Sequence, residues 1–168
     1  MSGFALPVDP MEVSRVAPQL PATQYRVRIA GAADGAEPPT IKHTDPKAAD
    51  KSPKPFVNLR LIIEETADGN TTVISQSDGA EMSCVDKSIF DSLFLTSSDG
   101  AMRRVRLFLE AFGIQLNTGA DGNPELPVDD DGATISEWVG LTGVINTKLG
   151  QPRNGTRYLE VASYVPAE

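Results

Sequence analysis

Few side chains in this sequence are of types that do covalent or metal chemistry, and their spacing does not gather them. The one histidine, His43, lies among lysines, prolines and aspartates without periodicity, so no partner stands at a fixed spacing for acid–base work. The single cysteine, Cys84, allows neither an intrachain disulfide nor a cysteine-based zinc site, and reads as a small, partly buried side chain. Asp129-Asp130-Asp131-Gly132 begins like a calcium loop. Position twelve, where a bidentate glutamate belongs, is Gly140, so the run reads as an exposed acidic loop. No serine or cysteine sits in a nucleophile elbow, and no glycine-rich phosphate cradle follows a strand. No catalytic residue, cofactor or metal is expected.

What remains is the chemistry of cations beside flat rings. Phe56 and Arg60 share one face of a strand, and Tyr158 opens the last strand. Such pairs can stack on bases while guanidinium groups meet phosphates. Trp138 and Tyr164 could stack too, against the reading of each as core or rim packing, which is preferred for Trp138, whereas Phe90, Phe94, Phe108 and Phe112 read as core. The cations cluster. Arg26 and Arg28 lie on the first strand, Lys42, Lys47, Lys51 and Lys54 with His43 in the segment after it, and Lys148, Arg153 and Arg157 around the last turn. Acid lies elsewhere: Glu64, Glu65, Asp68, Asp78, Glu81, Asp86, Asp91 and Asp99 face only Lys87 across residues 61–100. The net charge of −8 argues against a simple binder of polyanions, so everything rests on this layout.

The elements that must position these residues follow from periodicity. Residues 1–23 carry Pro7, Pro10, Pro18 and Pro21 and are expected to form a flexible arm, suited to protein contacts or self-association. Tyr25, Val27 and Ile29 alternate with Gln24, Arg26 and Arg28, a strand with one apolar and one basic face. Residues 31–54, punctuated by Gly31, Gly35, Pro38, Pro39, Pro46 and Pro53, read as a long basic loop without regular structure. Residues 56–65 form a second strand. A turn at Asp68-Gly69-Asn70 leads into a third at Thr71–Ser75, and residues 89–96 can supply one more. Met102, Val105, Phe108, Leu109 and Phe112 fall on one stripe of a helix over residues 101–112, capped by Ser98 or Asp99 and ended by Gly113. Arg103, Arg104 and Arg106 lie off that stripe. Trp138–Lys148 and Arg157–Val165 read as a closing hairpin.

The 168 residues suit a single domain, residues 24–168, and 14 Gly with 13 Pro imply many turns. The order β-β-β-α-β-β is that of a five-stranded OB-type barrel, mostly β with one helix. In such a barrel, nucleic acid meets the second and third strands and the two loops that here hold the lysines and arginines. No apolar run approaches a membrane span, and the N-terminus lacks the pattern of a secretory signal, so a cytoplasmic setting is expected.

Several strings carry a resemblance. The chain from Tyr25 to Ile29, the lysine loop, the run from Lys54 to Leu61, the stretch from Phe94 through the helix to Ile114, and Gly150 to Tyr158 together resemble phage-encoded single-stranded DNA-binding proteins of replication and recombination modules. The resemblance covers residues 24–165 in pattern and order. It implies an OB-fold that coats single-stranded DNA (RNA not excluded) without sequence preference. Phe56, Arg60, Tyr158 and the basic loops would make the contacts, with replication or recombination proteins and further copies of the chain as partners. The sequence departs from that group in ending SYVPAE, without an acidic recruiting tail. The rival reading is a phage structural or protein-interaction β module that binds no nucleic acid.

Overall fold

The computed structural model describes residues 3–12, 17–32, 37–44, 52–153 and 156–167. Lys47 and Lys51 of the basic segment lie outside them. Strand β1 (Gln24–Gly31) buries Tyr25, Val27 and Ile29 and turns Arg26 and Arg28 outward, as its alternation requires. Strand β2 (Ile41–His43) pairs with the start of the long strand β3 (Pro55–Thr66). Residues 37–44, in the middle of the segment expected to be a loop, therefore hold regular order. Ile41 N–H donates to Ala133, Ile135 N–H donates to Pro39, and Thr40 bridges Thr134, so the segment is laced to the acidic loop. Proline and glycine punctuation concealed a strand of only three residues.

Strands β4 (Thr72–Ile74) and β5 (Glu81–Ser83) pair only with each other. The third strand of the main sheet is thus β6 (Ser88–Phe94), not Thr71–Ser75. Helix α1 (Asp99–Phe112) has Ser98 as its N-cap, accepting from Ala101 N–H, and Gly113 in the left-handed region at φ 68° as its C-cap. A two-residue ladder, β7 (Asn117–Thr118) with β8 (Pro124–Glu125), precedes a short 3-10 turn at Ser136–Trp138. Strands β9 (Thr142–Leu149) and β10 (Leu159–Val165) close the chain.

The main sheet has six strands running β10–β9–β1–β3, with β2 and β6 both paired to β3. One face, carrying Val27, Val57, Leu59, Leu61, Ile89 and Ile145, packs with Val105, Phe108, Leu109 and Phe112 of α1. Register shifts between Arg26 and Val27, and between Val161 and Ser163, bend the strands.

The sheet is open. Among the described residues no backbone ladder joins β6 to β10, so the expected five-stranded OB-type barrel is not formed. The obstacle is local. Where a closing ladder would run, Arg104 of α1 donates to the carbonyls of Val161 (3.2 Å) and Ala162 (3.3 Å), and its side chain fills the gap between the strands.

Candidate functional site

The seam between β6 and β10 is built around an acid in a core position. Ile89, Asp91 and Leu93 share the inward phase of β6, and the Asp91 side chain is 14% exposed. Arg104 Nη2 binds both carboxylate oxygens, at 3.0 and 2.9 Å. The Tyr164 hydroxyl of β10 donates to the same carboxylate, and the Arg104 guanidinium lies 5.3 Å from the Tyr164 ring centroid. One arginine thus ties helix, β6 and β10 together without a ladder.

Burial, then the charge of Asp91 and its hydrogen bond, push the Tyr164 phenol well above its ordinary range, with Arg104 opposing. Burial also raises Tyr25, whose hydroxyl donates to Pro21, and neighbouring Cys84 adds to the shift. Both folded values lie above the unfolded one. Their contribution is therefore complete below about pH 10 and falls above it, as the unfolded chain releases its protons first. Two of the three tyrosines, Tyr25 and Tyr164, should form phenolate only as the fold is lost in an alkaline titration followed by absorbance and circular dichroism. Ionisation of all three in the folded protein would contradict this.

Outward on β6, Ser88, Phe90, Ser92 and Phe94 alternate with the buried set. Phe90 is 53% exposed and Phe94 42%, although both read as core in the sequence. Beside Phe90 opens a groove of about 860 Å³ between the start of β6 and the β9–β10 turn. Leu20, Met82, Phe90, Tyr158 and Leu159 give it an apolar floor; Lys87, Arg153 and Arg157 stand on its rim with Glu160. Tyr158 is 60% exposed. A second depression of about 540 Å³ continues along the seam past Asp91, Phe94, Arg104 and Lys148, sharing Phe90 and Glu160.

Among the described residues, those expected to form a single nucleic-acid groove are not gathered in one. Phe56 is half-buried and packs on Phe94 with ring centroids 5.7 Å apart, and Lys42 stands opposite it in the β2–β3 register. Lys54 lies at the same end of β3. Arg153, Arg157 and Tyr158 stand at the other end of β6, roughly 20 Å away at the usual strand rise, and Lys148, opposite Glu160, lines the second depression between the two. Arg26 pairs with Glu65 at 3.5 Å; Arg28 and Arg60 are half-buried on the outer face. Trp138 and Tyr164 are buried in an aromatic cluster with Phe108, and offer no stacking platform. The acidic run pins its own loop. Asp131 accepts from the backbone N–H of Ala133 (2.9 Å) and Thr134 (2.8 Å), and Asp129 accepts from the Ser136 hydroxyl. Hydrogen bonds from Thr134 and Ala133 hold the Asp131 carboxyl down at about 2.

No protein-family model matches the chain, and no curated protein matches it. The resemblance to phage single-stranded DNA-binding proteins therefore gains no support, and the open sheet removes the barrel on which the DNA-coating reading stood. Among the described residues no helix is long and apolar enough to cross a membrane.

Proposed function

We propose that this chain is a non-enzymatic protein-interaction β module that takes an extended partner segment into the groove beside the β6–β10 seam. The observation that carries it is the coincidence of two strand edges without a shared ladder and the exposed rings of Phe90 and Tyr158. Arg104 fills the seam at Val161 and Ala162, so an added strand pairs through main-chain hydrogen bonds where the edges line the groove, at Ser88 and Phe90 of β6 and Leu159 and Glu160 of β10, while the pocket beside them selects alternate side chains. Exposed aromatics at a groove are the usual anchors of such contacts. In a chain of net charge −8, Lys87, Arg153 and Arg157 outnumber Glu160 at this rim. The favoured partner is therefore an extended peptide with alternating apolar residues and net negative charge.

Fluorescence anisotropy with a labelled peptide of alternating leucine and glutamate tests this. Tyr158→Ala and Phe90→Ser alter exposed side chains, so both variants should stay folded and each weaken binding by about tenfold, or about 1.4 kcal/mol. Unchanged affinity in both variants would move the site elsewhere. Tighter, salt-sensitive binding of a single-stranded oligonucleotide at the same groove would overturn the protein-binding reading.

A further inference from the structure

Resting on the groove reading above, we propose that the groove's occupant is the N-terminal segment, residues 3–12, of a second copy of this chain. The segment is built for such a contact. Phe4, Leu6 and Val8 alternate ahead of a 3-10 turn at Pro10–Glu12, so straightening the bend that the single copy has at Pro7 and Val8 presents all three on one side. They are exposed in the single copy: Phe4 is 90% exposed, Leu6 60% and Val8 65%. Pro7 lacks an N–H, which restricts strand pairing to the edge used by residues 4, 6 and 8, the behaviour of an edge strand.

Charge matches as well. Residues 3–12 contain Asp9 and Glu12 and no cation, whereas Lys87, Arg153 and Arg157 rim the groove against Glu160. Asp9 is positioned by its own turn, accepting from Met11 N–H at 2.9 Å.

A neighbouring copy is the receiver because the chain's own residues 3–12 lie outside the groove, although Pro18, Gln19 and Leu20 line it. Pro18, Gln19 and Leu20 line one end of the groove, fixed there by Gln19 N–H donating to Ser75 and by Gln76 N–H donating to Gln19. None of residues 3–12 lines the groove and their apolar side chains stay exposed, so the single copy leaves its groove open to another chain's segment. An arm-to-groove contact joins two different surfaces. It closes into a reciprocal dimer or continues head to tail.

Sedimentation of the full-length chain reads the association directly. The parent chain should gain mass with concentration. A Phe4→Ser/Leu6→Ser variant (arm impaired) and a Phe90→Ser/Tyr158→Ser variant (groove impaired) should each remain monomeric. Mixed together, they retain one working arm and one working groove, and should form a one-to-one pair. A parent that stays monomeric to its solubility limit overturns the proposal, as does a groove variant that associates like the parent. A synthetic peptide of residues 3–12, titrated into the arm-impaired variant, separates the two levels of failure. If this peptide does not bind but the leucine–glutamate peptide does, the second-copy assignment falls and the groove reading stands. If neither binds, both fall.

Discussion

Replacing Phe108 with alanine is expected to destabilise the fold by about 3–5 kcal/mol. Phe108 is fully buried where α1 meets the sheet. Its ring centroid lies 4.9 Å from Phe112, 4.9 Å from Trp138 and 5.1 Å from Tyr164, the last edge-on at 80°. These three rings come from the helix, the 3-10 turn and β10, so none can move into the void without shifting its own element. The cost therefore includes an unfilled cavity as well as the lost burial. Urea unfolding should show the midpoint falling with little change in slope. A loss below about 1 kcal/mol would mean that this cluster is not the junction between helix and sheet.

The second large effect belongs to the seam. Asp91→Ala should destabilise by about 3 kcal/mol, because it leaves the Arg104 guanidinium partly buried without its counter-charge and takes the acceptor from the Tyr164 hydroxyl. Arg104 is 31% exposed, and this solvent access keeps the figure at the low end for a broken ion pair. Removing both partners together, as Asp91→Ala with Arg104→Leu, should cost less than the sum of the single losses, since no uncompensated charge remains. Strict additivity in the double-mutant cycle would show that the pair does not hold the seam.

Much of the framework is legible in the sequence because it follows from short-range periodicity. Tyr25, Val27 and Ile29, the alternation of Val57, Leu59, Leu61 and Ile63, and the Ser98-to-Gly113 limits of the helix all fall where pattern and capping place them. The openness of the sheet is not legible, since whether β6 meets β10 depends on side chains far apart in sequence. A signal does exist. Asp91 falls in the inward phase of Ile89 and Leu93, and Arg104 lies four residues before Phe108, on the edge of the buried stripe. An acid and a base in core phases of neighbouring elements must neutralise each other.

The groove is half legible. Tyr158, Arg153 and Arg157 stand out as a ring beside cations, but Phe90 and Phe94 read as core because nothing local reveals that the outer face of β6 lacks a covering element. Trp138 is buried, as its preferred reading has it, but at the end of a 3-10 turn and not at the head of a strand.

Backbone hydrogen exchange of the full-length chain, with and without saturating leucine–glutamate peptide, tests the central claim most directly. An added strand must hydrogen-bond an existing edge, so protection should rise at Ser88–Phe90 of β6, Leu159–Glu160 of β10, or both, where the edges line the groove, and not along β1, which already has neighbours on both sides. Protection confined to other elements, or none at saturation, would contradict the assignment of the seam as the binding site.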